Sequence, residues 1–159
     1  MKKQILAIAA LLAVGALASC GGPKDEMKIG LLTLHDENST YDKNFIDAFI
    51  AACEEVGVEY VIKSNIAEDQ SCYDAACELA DDGCNMIFSD SYGHQSYMLE
   101  AAQEFPEVQF TACPGDNAAA AALDNFHNAF ANIYEGRFIA GVAAGLKINE
   151  MIDAGDITA

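Results

Sequence analysis

The chain has 159 residues, a formal charge of −17 and 52% hydrophobic residues. That length suits one domain, and the apolar share supplies a core and excludes a disordered chain. The acidity sets the surface against nucleic acid and anionic lipid headgroups, so no nucleic-acid partner is expected.

Met1-Lys2-Lys3 is a basic leader, and Ile5 to Leu17 is an apolar run too short to favour a spanning helix. Leu17-Ala18-Ser19-Cys20 then places small residues before a cysteine. The segment resembles a bacterial lipoprotein signal. It implies a signal peptide over 1–19, lipid on Cys20, and a tether over 20–27 containing Gly21-Gly22-Pro23. More than one acyl chain anchors stably, so the expected location is the extracytoplasmic face of a bacterial cell membrane.

Cys53, Cys72, Cys77, Cys84 and Cys113 remain. An odd number cannot all pair internally, and there is no CxxC. Cys53, Cys77 and Cys113 read as small buried hydrophobes, while a Cys72–Cys84 or Cys77–Cys84 bridge stays open.

Ile29 to Leu34 is an apolar run with the shape of a buried strand. A helix follows, capped by Ser39 or Thr40, with Asp42 in its first turn where a carboxylate suits the dipole. Phe45, Ala48, Phe49, Ala52 and Val56 recur at helical spacing and predict its buried face, and Gly57 predicts a left-handed end. Glu59 to Lys63 is a second strand. Ser71 is the expected cap of a second helix whose inner face is Tyr73, Ala76, Cys77 and Ala80, stopped by Gly83. Asn85 to Phe88 is a third strand, opening into the polar loop Ser89-Asp90-Ser91-Tyr92-Gly93-His94. A third helix over 95–105 buries Met98, Ala101, Ala102 and Phe105. Val108 to Cys113 is a fourth strand, and 116–125 is a loop around five alanines with room for a helical turn. Phe126 to Ile133 reads as a fifth strand. The last helix, from Tyr134, carries Gly141 and Gly145 as a GxxxG, which predicts close backbone packing.

Strand and helix alternate, and right-handed crossovers then require a parallel sheet covered on both faces. The expected fold is α/β, a doubly wound parallel sheet in flavodoxin-like order. Its first and third strands meet at the switch point, so their two polar loops converge on one crevice.

That crevice is built for recognition. There is no GxGxxG, no GxxxxGK[ST] and no GxSxG, and His35, His94, Asp36 and Asp90 match no metal-ligand spacing. Neither cofactor nor metal is expected, and no enzyme is implied. Tyr41, Phe45 and Tyr92 offer flat apolar faces; Asp36, Asn38, Ser39, Asp42, Ser89, Asp90 and Ser91 offer polar groups. Aromatic walls with a few fixed polar atoms suit a base with its sugar. Phe45 also heads the apolar stripe of its helix, and Ser39 and Asp42 also serve as its cap.

Taken together, the lipoprotein signal, Tyr41-Asp42-Lys43-Asn44-Phe45, Ser91-Tyr92-Gly93, Phe105-Pro106-Glu107-Val108-Gln109-Phe110 and Tyr134-Glu135-Gly136-Arg137-Phe138-Ile139-Ala140-Gly141 resemble the basic membrane protein family. These are substrate-binding lipoproteins of ABC importers, including purine-nucleoside receptors. The resemblance implies a type I periplasmic-binding-protein fold, with a nucleoside-like small molecule held between two lobes and handed to an ABC permease. It implies that Asp36 contacts the base and Phe45 stacks on it. The chain departs from the family at Glu37-Asn38-Ser39, where two glycines are usual, at Ile46, and at Cys113-Pro114, where some members carry an acid. The resemblance further implies that 28–159 is the N-terminal lobe alone, a truncated product lacking the second. A sensory lipoprotein presenting a ligand to a membrane receptor, or a small exported enzyme, are the alternative readings. The set of ligand-facing residues is Asp36, Asn38, Tyr41, Asp42, Phe45, Ser89, Ser91 and Tyr92.

Overall fold

The computed structural model describes residues 27–158; the leader, Cys20 and all but the last residue of the tether lie outside the described residues. Five strands form one parallel sheet in the order β2-β1-β3-β4-β5: β1 Lys28–Leu32, β2 Glu59–Lys63, β3 Met86–Ser89, β4 Gln109–Ala112 and β5 Phe126–Asn128. Every neighbouring pair is parallel. The expected doubly wound order is present.

The helices follow from the order of the strands. The crossover from β1 to β2 moves one way across the sheet, and the later crossovers move the other way. Right-handedness therefore puts α1 (Thr40–Val56) on one face and α2 (Gln70–Asp81) and α3 (Gln95–Glu104) together on the other. The alternating side chains of the strands confirm the division. Gly30, Ile87, Phe110 and Phe126 stand in register across β1, β3, β4 and β5. Ile87, Phe110 and Phe126 join Leu32, Leu79, Met98 and Ala101 in one buried cluster under α2 and α3. Gly30 belongs to this row because a Cβ there would lie 2.8 Å from Leu79 Cδ1, so the absence of a side chain lets α2 approach. The intervening row, Ile29, Leu31, Met86 and Phe88, faces α1.

That second face differs from expectation. Phe45, Ala48, Phe49, Ala52 and Val56 do point at the sheet, but they line an open apolar groove of about 380 Å³ and are not sealed. Val56 is 72% exposed, and the buried residues of α1 are Asp42, Ile46 and Cys53. One helix covers only part of a five-stranded face, so the stripe meets the sheet along one flank.

Ser39 caps α1 as expected, accepting the Asp42 N–H, and Gly57 closes it in the left-handed region at φ 75°. Asp69 caps α2 in place of Ser71: its carboxylate, a stronger acceptor two residues earlier, accepts the Ser71 N–H. The inner face of α2 is Cys72, Ala75, Ala76 and Leu79. Tyr73, Cys77 and Ala80 are half-buried and pack against the same core from its flank, and Tyr73 Oη donates to the Glu104 carboxylate. All five cysteines among the described residues are free. Neither the Cys72–Cys84 nor the Cys77–Cys84 bridge is formed.

The alanine run forms one helical turn, α4 (Ala118–Ala121). Strand β5 is shorter than expected because Asn128 turns its side chain to the Ala118 amide and the Ala112 carbonyl. The last helix, α5 (Ile133–Ala154), has no buried residue. Phe138 is 73% exposed, and nothing among the described residues lies within 4 Å of a Cβ built at Gly141 or Gly145. The close packing read from GxxxG is therefore not made among the described residues. Small and large apolar residues surround α5 on all sides, so no single face directs it onto this sheet.

Candidate functional site

The loops after β1 and β3 leave the sheet side by side, as their pairing requires. Thr33 caps the first, its hydroxyl donating to His35 O at 2.6 Å and holding Ser64 of the β2 loop at 2.9 Å. Asp36 then folds on itself: one carboxylate oxygen accepts the Asn38 N–H and the Asn38 side-chain N–H, each at 3.0 Å. The pair presents the polar edge of the lip, with Asp36 half-buried and Asn38 exposed.

Two aromatic pairs flank this edge. The Tyr41 and Phe45 rings lie 5.2 Å apart, tilted by 48°, on the first turns of α1. Tyr92 lies 6.1 Å from Phe130, edge to face, and its hydroxyl donates to Asp116 at 3.0 Å. Tyr41 also reaches across, donating to the main-chain oxygen of Asp90 at 3.2 Å. Thus Tyr41 ties the first lip to the second, and Tyr92 ties the second to the loop after β4.

Beneath the rim lies a buried layer. Asp42 is fully buried, and its carboxylate accepts the His35 N–H at 2.8 Å, the His35 ring N–H at 3.2 Å and the Ser39 hydroxyl. Burial acts against its charge, but the Ser39 and His35 donors overcome this and hold the carboxyl down at about 2. Asp90, also fully buried, accepts the Leu34 N–H at 3.0 Å. Burial, with the Asp42 charge adding to it and the Leu34 donor opposing, pushes Asp90 up to about 7. Ser89 is buried at the end of β3, with no partner for its hydroxyl among the described residues.

On the far side Glu68, from the loop after β2, accepts the Ser91 hydroxyl and the Gly93 N–H at 3.0 Å. The Ser91 bond, with the Gly93 amide helping, holds its carboxyl below the usual range. His94 is buried with Nε2 against the Ile66 oxygen at 2.9 Å, and burial lowers its basicity.

Of the eight expected ligand-facing residues, the structure gathers Asp36, Asn38, Tyr41, Phe45 and Tyr92 at the rim. Asp42 and Ser89 lie beneath it and Ser91 is bound to Glu68, so these three shape the lips from below. Phe45 faces two ways, touching Tyr41 at the rim and lining the groove under α1. Glu68, Asp116 and Phe130 were missed. They follow strands two, four and five, and only the sheet order brings those strand ends to this rim. No group of three or more His, Cys, Asp or Glu side chains able to hold a metal occurs among the described residues.

Residues 33–155 match the protein family described as ABC transporter substrate-binding protein, PnrA-like. A purine-binding protein of Brucella abortus (strain 2308) is 32% identical over 87 residues, which are 55% of this chain and 24% of that protein. The chain therefore aligns with about a quarter of the length of this relative. Among solved structures, an ABC transporter solute-binding protein from Conexibacter woesei DSM 14684 superposes with a TM-score of 0.58 at 16% identity, over 65% of this chain and 35% of that one. A transcriptional activator of the comK gene from Bacillus halodurans gives a TM-score of 0.50 at 21% identity, over 56% and 30%. These two likenesses speak to the fold alone.

Proposed function

The chain belongs to the PnrA-like family of ABC transporter substrate-binding proteins, and from that premise we propose that it is the extracytoplasmic, lipid-anchored solute receptor of an ABC importer, taking a nucleoside-like molecule. The observation that carries this reading is the rim. Two aromatic pairs, Tyr41–Phe45 and Tyr92–Phe130, flank the polar edge of Asp36 and Asn38. A flat base stacks on such faces, and the carboxylate accepts hydrogen bonds from the base or its sugar. The purine-binding name of the Brucella relative supports the same class. Cys20 carries the anchor, and an ABC permease receives the solute.

One sheet offers one wall. Solute receptors of this fold close a second lobe over the ligand, so we assign to this chain about half of the contacts. Adding inosine or adenosine to the labelled chain, followed by nuclear magnetic resonance, tests the reading. Weak, saturable shifts centred on Asn38, Tyr41, Phe45 and Tyr92 are expected, and Phe45→Ala removes them. Shifts elsewhere, or none at millimolar nucleoside, exclude this rim as the nucleoside wall. Micromolar affinity excludes the half-site.

A further inference from the structure

Asp42 and Asp90 come from different elements, the first turn of α1 and the end of β3, yet they are held by adjacent amides of one loop. The His35 N–H donates to Asp42 and the Leu34 N–H to Asp90. Both side chains are fully buried. Asp42 accepts three donors, the His35 amide, the His35 ring and Ser39, which leaves room for a fourth. Asp90 uses one oxygen for Leu34, and its other oxygen, Oδ2, has no donor among the described residues.

An ionised carboxylate only accepts, so two buried carboxylates side by side repel and leave Oδ2 unsatisfied. A proton on Oδ2 removes both penalties, converting Asp90 into a donor toward the Asp42 carboxylate. The surrounding charged and titratable groups settle which of the pair carries the proton. From the β1 loop, His35 contacts Asp42 alone. From α1, Tyr41 touches Asp90 only through the main-chain oxygen. His94, after β3, and Glu68, after β2, bond elsewhere, to Ile66, Ser91 and Gly93. Cys113, after β4, stays half-buried and brings no positive charge. No cation contacts Asp90 among these groups.

We propose that Asp90 and Asp42 share one proton, and that this proton is a pH-sensitive clasp fastening the β3 loop to the β1 loop and the start of α1. In acid the clasp is closed. As pH rises, Asp90 releases its proton to solvent, two buried negative charges face each other, and the lips carrying Tyr41 and Tyr92 separate. The clasp concerns the lips themselves and holds whichever solute they receive. The burial that pushes Asp90 up to about 7 puts the transition near neutrality.

Amide hydrogen exchange at Leu34 and His35, corrected for intrinsic base catalysis, tests the clasp between pH 5 and 9. In the wild type, protection is expected to fall about tenfold per pH unit from about pH 5 up to the transition and to level off above it, because only in that window does opening release a proton that the closed state keeps. Asp90→Asn keeps the shape, accepts from Leu34 and donates permanently to Asp42, so its protection should stay level across the range. A parallel infrared titration follows the protonated carboxyl, whose band should vanish with the same midpoint in the wild type and be missing in Asp90→Asn. In Asp42→Asn the neighbouring charge is gone, and the Asp90 band should vanish at lower pH. A level wild-type profile, an Asp90→Asn profile that still falls, or a carboxyl band that survives in Asp90→Asn each overturns the proposal.

Discussion

Asp42 and Asp90, fully buried carboxyls from two different elements, are bound by the consecutive amides of His35 and Leu34. The pair makes stability depend on pH in two opposite directions. Asp42 is held at about 2, below its ordinary 3.8, so its contribution is present above pH 3.8 and lost as pH falls toward 2. Asp90 is raised from 3.8 to about 7, so the folded state loses stability as pH climbs from about 4 to 7. Urea midpoints measured across pH should therefore peak near pH 4 for this pair. Asp90→Asn should remove the decline on the alkaline side and leave the acid side in place.

Gly30 is a packing requirement. Its φ lies outside the left-handed region, so alanine costs no backbone strain, but the new Cβ would lie 2.8 Å from Leu79 Cδ1. Overpacking of this kind costs about 1–3 kcal/mol, more than the few tenths to about 1 kcal/mol gained by stiffening the unfolded chain. Gly30→Ala is expected to be destabilised by about 1–2 kcal/mol in urea titration. A gain would show that Leu79 swings aside freely.

Helix α5 should be separable from the sheet. None of its residues is buried, and its glycines touch nothing among the described residues. Removing 133–159 should change the unfolding free energy by no more than about 0.5 kcal/mol, as for surface changes elsewhere. It should also reduce self-association, because Phe138, Ile139, Val142 and Leu146 leave the surface with it. A loss of several kcal/mol on truncation would mean that α5 packs on the sheet in solution.

The proposed anchor has its own test. In a bacterial host, Cys20 should incorporate labelled palmitate and carry the chain into the membrane fraction. Cys20→Ala should abolish the label. Palmitate retained in that variant would move the lipid to another residue.

Several features were legible because each is set by neighbours in sequence. The strands, the Ser39 cap, the Gly57 terminus and the alternation that requires crossovers all rest on local sterics and hydrogen bonding. Where the reading slipped, long-range contacts decided. The apolar stripe of α1 was correct as a pattern, but one helix cannot seal the sheet face it meets, so Val56 stays exposed. Ser71 lost its cap to Asp69, a competition between two good acceptors that spacing leaves undecided.

The loop from Leu34 to Phe45 shows the division most clearly. The sequence by itself determined that a buried strand would end there in polar and aromatic residues, because hydrophobic runs and turn chemistry are local. Only the tertiary structure decided which of those groups face outward. Asp36 and Asn38 bond each other at the surface, while Asp42 turns inward to the His35 amide and lies beside Asp90, because β1 and β3 are neighbours and the pairing brings two distant carboxyls to adjacent amides. Burial and charge at that meeting depend on the whole sheet, and no stretch of sequence contains them.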